Sequence, residues 1–426
     1  MLYQIAKPIA HVAFSIYFRK IFFSNVQNIP AGKPVILALN HPTAFVEPCI
    51  VASFQDRPLN FLARGDFFAN SLSARILADF NIIPIFRIQD GGYGKLKANF
   101  ESFKECYRAF EENKVVLIMA EGGAEHEKQL RPLKKGTARL AFGALEHAPD
   151  LDLYIVPVGV NYTKSEEMRH IAMFNFAEPI RIQDYQQMHA KAPAKAIREV
   201  TAELKEKLSK NVIQVEKGEE EWVNFLLDIQ RNSWEIKNFN IKSNSKKLLE
   251  EEKYISDKIL KIDANEKQLL KEKTQLYQQV LDKNKVIDEG LAFQKMYTFE
   301  NHLKLGIGLL PSLIGRIINW SPMWLAGKLG KRVIPNDMTF EIPIKITLGI
   351  IFYAIYWMIF FVIGLVTGNY WWWSLLILLP ILGIFHLQFN DFAKRLWQVR
   401  KVKNLQPDIL ENLEKKRQNL INILKR

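Results

Sequence analysis

Cysteine is almost absent from this chain, which has 426 residues and only two cysteines, Cys49 and Cys106. The two show neither a pairing pattern nor the spacing of metal ligands, which argues against a disulfide framework and against a zinc site. We therefore expect no bound metal, and a catalytic part that faces a reducing compartment such as the cytoplasm.

The first twenty residues lack the continuous apolar core and the cleavage site of a secretory signal, so we expect them to stay on the mature protein. Their apolar side chains repeat at helical spacing, at Leu2, Ile5, Ile9, Val12 and Ile16. This pattern predicts an amphipathic helix at the membrane interface within residues 1–28. An ordinary helix that packs on the core is the alternative.

Acidic residues are outnumbered by basic ones, which gives a formal net charge of +13 and a pI of about 9.4. Such a charge favours an anionic partner, which could be nucleic acid, an anionic bilayer or a phosphorylated substrate. About 45 uncharged residues lie between Lys345 and Asp391, more than a nucleic-acid module needs. The partner is therefore predicted to be a lipid bilayer and not nucleic acid.

The C-terminal part, residues 296–426, is predicted to be a membrane domain. Two segments near 346–367 and 371–389 are long enough to cross the hydrocarbon core and form a transmembrane helical hairpin. Lys and Arg residues flank both ends of the hairpin and none lies in its turn, which places both ends in the cytoplasm. These features predict a multi-pass protein of the inner or cytoplasmic membrane.

Residues 303–329 are apolar but contain prolines, which suggests an interfacial or re-entrant segment.

Residues 29–240 show short apolar runs that alternate with helical stretches. The runs read PVILALN, LNFLA, NIIPIF, KVVLIMA and LYIVPVGVNY, and helices within 196–240 would close the domain. This alternation predicts an α/β domain with a mixed, largely parallel sheet flanked by helices. The charged residues 241–295 follow, and their apolar side chains seven apart predict one long bridging helix rather than a coiled coil.

Chemically useful side chains follow the predicted strands. His41 stands at the end of the first, with Glu47 six positions on, so that a carboxylate could orient an imidazole base. Such a pair alone is more often structural than catalytic. Four further blocks add to it: Arg87 after a strand, Glu121 and Gly122 after another, Lys134 and Lys135 before a helix, and Pro157 in a block that ends a fourth strand. The ends of neighbouring strands would gather these blocks at one edge of the sheet.

In order and spacing, these blocks in residues 33–180 resemble the glycerol-3-phosphate and 1-acylglycerol-3-phosphate acyltransferase family, typified by bacterial plsC-type enzymes. The resemblance implies that His41 is the general base, Glu47 its orienting acid and Arg87 a ligand of the substrate phosphate. It also implies substrate-binding roles for Glu121, Gly122, Lys134, Lys135 and Pro157, the last on the acyl-donor side. Glu47 replaces the usual Asp, and Ala120 and Ala124 replace the usual Pro and Ser.

The resemblance implies transfer of a fatty acyl chain from acyl-CoA or acyl-carrier protein, as co-substrate, to a hydroxyl of glycerol 3-phosphate or 1-acylglycerol 3-phosphate. No cofactor and no covalent intermediate would be needed. Two alternatives stay open: acylation of another lysolipid or acyl-amino-acid lipid, and an inactive lipid-binding membrane scaffold.

Overall fold

The computed structural model describes residues 2–68, 70–86, 98–164, 167–234, 242–333, 341–369 and 371–425. The chain divides into two compact units. The first consists of Met1–Gln214, Ile241–Leu249 and Asp337–Pro343, and the second of Val215–Asn240, Glu250–Asn336 and Ile344–Arg426. The division at Val215 differs from the predicted boundary near residue 240.

The first unit is built around one sheet. The strands in the described residues are β1 (Lys20–Ser24), β2 (Val35–Leu39), β3 (Leu59–Arg64), β4 (Ile82–Ile85), β5 (Val115–Met119), β6 (Tyr154–Tyr162), β7 (Ile171–Phe176), β8 (Ile180–Arg181) and β9 (Lys242–Ser243). Its helices are α1 (Leu2–Tyr17), α2 (Val46–Phe54), α3 (Ser71–Asp79), α4 (Ala98–Glu111), α5 (Gly136–His147), α6 (Gln186–Lys191) and α7 (Pro193–Ser209).

The strand order is β4-β3-β5-β2-β6-β7-β1-β9, with β8 also paired to β6. All pairs from β4 to β6 are parallel, β7 runs antiparallel to β6, and β1 and β9 continue parallel to β7. The predicted mixed, largely parallel sheet is therefore confirmed. The central strand β2 is fully buried because its Val, Ile and Leu side chains are covered on both faces.

Helices cover both faces of this sheet. Ile36 and Ala38 of β2 belong to a core cluster with Phe110 of α4, Leu140 of α5 and Leu204 of α7. Elsewhere, the His11 ring of α1 lies 4.2 Å from the Phe54 ring of α2, which in turn contacts Phe23 of β1. Three α1 side chains, Ile5, Ile9 and Val12, remain about half exposed, as an amphipathic helix requires.

The second unit is helical in its described residues. It contains α8 (Glu220–Arg231), most of α9 (Lys247–Lys261), α10 (Ala264–Lys283), α11 (Asp288–Ala292), α12 (Phe299–Val333), most of α13 (Glu341–Thr367), α14 (Trp371–Lys403) and α15 (Pro407–Lys425). Helix α8, expected to close the catalytic domain, belongs to this unit instead. Its Arg231 donates to the fully buried Glu252 at 2.6 Å, and that pairing ties α8 to α9.

Residues 245–290 do not form the single bridging helix that the sequence predicts. Two residues separate the end of α9 from the start of α10, where the side chain of Asp263 accepts hydrogen bonds from the first backbone amides of α10. The seven-residue repeat is buried only in its first members, Leu248 and Ile255 of α9. Leu269 and Leu276 are each 51% exposed, while the neighbouring Tyr277 is fully buried.

Helix α12 runs unbroken through Pro311 and Pro322, so residues 303–329 are one continuous helix; their location at a membrane interface stays a prediction. Pro322 has no amide hydrogen to donate to the carbonyl of Ile318, one turn earlier. The hydroxyl of Tyr356 on α13 donates to that carbonyl instead, at 2.7 Å. A neighbouring helix thus replaces the bond that proline removes, which is how apolar helices tolerate proline.

Within the described part of the chain, two helices are long and apolar enough to cross a membrane: Pro343–Thr367 with mean hydropathy 2.4, and Trp371–Lys403 with mean hydropathy 1.7. They coincide with the predicted segments, except that α14 continues well beyond the predicted end at residue 389. Their ends meet at a short turn, where the Phe361 ring lies 5.4 Å from the Trp373 ring. Both helices are candidate membrane spans.

Candidate active site

The site begins where the central strand β2 ends. Asn40 follows the strand and is buried; its side chain donates to the Val160 carbonyl at 2.9 Å and accepts from the Val160 amide at 2.7 Å. These two bonds extend the β2–β6 pairing by one residue. The next residue, His41, is therefore held at the carboxyl edge of the sheet.

Glu47 lies in the first turn of α2, where a carboxylate is favoured by the amino-terminal end of the helix dipole. Its side chain is fully buried. One oxygen, Oε1, accepts from the Thr43 amide at 2.8 Å and from the Thr43 hydroxyl at 2.6 Å. The other, Oε2, lies 3.3 Å from Nδ1 of His41. The predicted pairing of these two residues is thus present in the structure.

This pair can act as a base and its orienting carboxylate. A proton on Nδ1 of His41 lets the ring donate to Glu47, which leaves Nε2 as the acceptor. The His41 side chain is 15% exposed, so one side of the ring can meet a substrate. The intervening Phe45 has a left-handed backbone with φ of 65°, which is costly for a residue with a β-carbon and shapes the turn between strand and helix.

Glu121, predicted to bind substrate, follows β5 and is bonded within the protein. Its carboxylate accepts from the backbone amide of His41 at 3.0 Å and from the backbone amide of Arg131 at 2.9 Å. The guanidinium of Arg131 adds a third bond at 2.9 Å. The next residue, Gly122, has a φ of +74°, which explains why glycine suits this turn.

Lys134 and Lys135 lie just before α5 and are both exposed. The Lys134 amide donates to the carbonyl of Ala120, so the loop before α5 is anchored at the end of β5. A β-carbon on Gly122 would lie 3.0 Å from Cγ of Lys134, which places this side chain directly beside Gly122. The structure therefore brings these cations to the same sheet edge as Glu121.

Pro157 does not lie at the edge of the sheet. It is buried within β6, in register with Ala38, and the strand continues to Tyr162. The expectation that this block ends a strand is wrong because pairing with β7 prolongs β6. Arg87 lies outside the described residues, two positions after the end of β4.

Three further side chains contribute to the site without having been predicted: Thr43, Arg131 and Tyr162. The first two bond to Glu47 and Glu121 as described. Burial, followed by the negative charge of Glu47, raises the pKa of the Tyr162 hydroxyl well above its usual value. All three lie close to the predicted blocks: Thr43 between His41 and Glu47, Arg131 three residues before Lys134, and Tyr162 after the fourth block on the same strand. Within the described residues, no group of three or more His, Cys, Asp or Glu side chains could hold a metal ion.

Fold and site together define an α/β domain in which a histidine is paired with a buried carboxylate at the end of a central parallel strand. The comparisons with known proteins agree: residues 20–161 match the Acyltransferase family. These residues therefore form a domain that resembles the glycerolipid acyltransferases.

Individual relatives match over short segments. Glycerol-3-phosphate O-acyltransferase 1 of Saccharomyces cerevisiae is 38% identical over 79 residues, which are 18% of this chain and 10% of that protein. Glycerol-3-phosphate O-acyltransferase 2 of the same yeast is 28% identical over 124 residues, or 29% and 16% of the two lengths. The chain thus spans only a small part of the length of these relatives.

Among solved structures, the chain is similar to the 1-acyl-sn-glycerophosphate (LPA) acyltransferase PlsC from Thermotoga maritima. The sequence identity is 12% and the TM-score 0.35, over 49% of this chain and 79% of that chain. The strand order described above defines the fold independently of this similarity.

Proposed function

We propose that this protein transfers a fatty acyl chain from an acyl thioester to a hydroxyl of glycerol 3-phosphate or 1-acylglycerol 3-phosphate. The observation that carries the proposal is the 3.3 Å approach of Nδ1 of His41 to the buried Glu47 at the end of β2. The match of residues 20–161 to the Acyltransferase family supports the same chemistry.

In the proposed mechanism, Nε2 of His41 takes the proton from the acceptor hydroxyl while Glu47 holds the ring. The acceptor oxygen forms a bond to the thioester carbonyl carbon, and the resulting tetrahedral intermediate collapses with cleavage of the carbon–sulfur bond. The leaving thiolate takes the proton back from the imidazolium. Base catalysis of this kind contributes about 10²–10⁴-fold to a rate.

The positive charge of the lysines beside the site favours a phosphorylated acceptor. Lys134 and Lys135 are exposed, and neither forms an ion pair with another described residue. Two exposed cations beside the end of β5 favour a phosphate over an uncharged head group. Acyl-CoA or acyl-carrier protein would supply the acyl chain as co-substrate.

Membrane attachment is part of the proposal. The two candidate spans, the amphipathic α1 and the net charge of +13 all suit a protein held at an anionic bilayer. The acceptor 1-acylglycerol 3-phosphate and the product are themselves membrane lipids. We propose a multi-pass protein whose catalytic unit faces the cytoplasm.

The test is acyl transfer by the detergent-purified full-length chain, comparing wild type with His41→Ala. Glycerol 3-phosphate, 1-acylglycerol 3-phosphate and an uncharged lysolipid serve as acceptors, each with acyl-CoA and acyl-carrier protein. We expect transfer to a phosphorylated acceptor and a loss of at least about 10²-fold in His41→Ala. His147→Ala is the matched control, because His147 ends α5 and pairs with the half-exposed Glu111.

The outcomes separate the possible functions. Full activity in His41→Ala would show that the base is wrongly assigned. Preference for the uncharged lysolipid would replace the phosphorylated acceptor by another lipid. If the wild-type protein transfers no acyl group with any pair of donor and acceptor, a lipid-binding scaffold remains as its function.

A further inference from the structure

The carboxylate of Glu121 accepts its hydrogen bonds from other groups of the protein. Its side chain is 2% exposed, and its two oxygens accept three hydrogen bonds, from two backbone amides and one guanidinium. A buried carboxylate with a charge-assisted partner and two amide donors is well compensated. It has little capacity left to accept a bond from a substrate hydroxyl.

The donors show what this carboxylate holds in place. One is the amide of His41, at the end of β2, and the other two belong to Arg131, in the loop that leads to α5. The carbonyl of His41 is held by the same segment, since it accepts from the Glu125 amide at 3.2 Å. The N–H of His41 and its C=O are thus both bonded to residues 121–125.

Arg131 closes this segment from the other side. Its Nη2 donates to the carbonyl of Gly123 as well as to Glu121, and its Nη1 lies 3.1 Å from the carboxylate of Glu125. The planar guanidinium can make these bonds at once because its donors form a rigid fork. Arg131 therefore fixes the loop that in turn fixes the backbone of His41.

We propose that Glu121 and Arg131 are positioning residues, which hold the His41 backbone so that its ring meets the acceptor hydroxyl at the right distance. The inference rests on the proposed role of His41 as base. It replaces the predicted role of Glu121 in substrate binding. A displacement of about 1 Å at a reacting group can reduce a rate about 10²-fold.

The first test compares Glu121→Gln and Arg131→Lys in the full-length protein. An amide has one acceptor oxygen and would set its NH₂ against one of the amide donors, while lysine keeps the charge of Arg131 but loses the fork. We expect kcat to fall at least about 10-fold in both variants, by a similar factor for every acceptor, with KM for the acceptor unchanged. Glu111→Gln, which alters an ion pair at the far end of α5, is the matched control and should leave kcat unchanged.

A rise in KM for phosphorylated acceptors with unchanged kcat would overturn the proposal, because that pattern marks a residue that binds substrate. Additive losses in the double variant would also contradict it, since two side chains that bond to each other and hold the same loop should be non-additive.

A second readout does not depend on activity. Amide hydrogen exchange, measured by mass spectrometry on a peptide that includes His41, reports directly on the bond from its amide to Glu121. We expect faster exchange there in both variants and no change in Glu111→Gln. Unchanged exchange would refute the positioning role. If exchange is faster in the variants but the wild-type protein transfers no acyl group, the positioning role stands and the proposed function is refuted.

Discussion

Glu47 offers the sharpest test at the scale of single residues. In Glu47→Gln the oxygen can still accept from Thr43, but the NH₂ faces Nδ1 of His41, donor against donor, and favours the wrong imidazole tautomer. We expect kcat to fall about 10²-fold or more, with KM unchanged. Glu47→Asp should retain more activity, because it keeps the charge and shortens the side chain by one methylene. Kinetics with saturating acyl donor measure both.

Thermal unfolding of the same variants serves as the control for folding, and Glu111→Gln as the control for loss of a carboxylate. If Glu47→Gln worked as well as wild type, the carboxylate would have no role in orienting His41.

The sequence predicts the His41–Glu47 pair because six positions carry the chain from the end of a strand into the first turn of the next helix. It does not predict Arg131, since that residue acts through bonds to backbone groups and to a neighbouring carboxylate. The same limit applies to Glu121: its spacing predicts its place at the sheet edge, while its bonding partners depend on how the loops pack.

At the scale of elements, the packing of α12 on α14 depends on the absence of side chains. A β-carbon on Gly315 would come within 2.2 Å of the carbonyl oxygen of Leu382, so Gly315→Leu must push the helices apart. We expect a loss of about 1–3 kcal/mol in the free energy of unfolding, the usual cost of overpacking. The measurement is thermal or denaturant unfolding in detergent.

Gly306→Leu is the matched control, because it makes the same change on the same helix where nothing lies within 4 Å of the added carbon. Equal loss in both variants would mean that the close approach of Gly315 to Leu382 does not account for the effect.

Sequence patterns predict a helix or a strand well when the residues that determine it lie within that helix or strand. The runs of β-branched and leucine residues correctly predict β2 to β6. The helix start at Asp263 was also readable, since Glu266 follows it three positions later as in a capping box. The continuity of α12 could not be predicted from the sequence, because the hydrogen bond that compensates for Pro322 is donated by Tyr356 on another helix. Strands β1 and β7, which the sequence did not predict, pair with each other.

At the scale of the whole molecule, the arrangement across the membrane can be tested with single cysteines. In a Cys49→Ser, Cys106→Ala background, Asn369→Cys marks the turn between the candidate spans and Gln406→Cys marks the exposed end of α14. We expect a membrane-impermeant maleimide to label Asn369→Cys in intact cells, and Gln406→Cys only after permeabilisation. Labelling of both sites only after permeabilisation would show that these helices do not cross.

Composition and hydropathy predict two apolar helices and an α/β domain, because both are properties of long segments. They do not predict that the chain divides at Val215, since that boundary depends on which neighbours α8 packs against.

The position of β1 has a consequence for the order in which the protein folds during synthesis. This strand leaves the ribosome well before its partners, which are β7 and β9, at Ile171–Phe176 and Lys242–Ser243. It must therefore remain unpaired until most of the catalytic unit has been made. The sheet can nevertheless be completed before the first candidate span, beginning at Pro343, is translated. A nascent chain stalled between Ser243 and Pro343 would contain all the described strands of the sheet but neither of the two candidate spans.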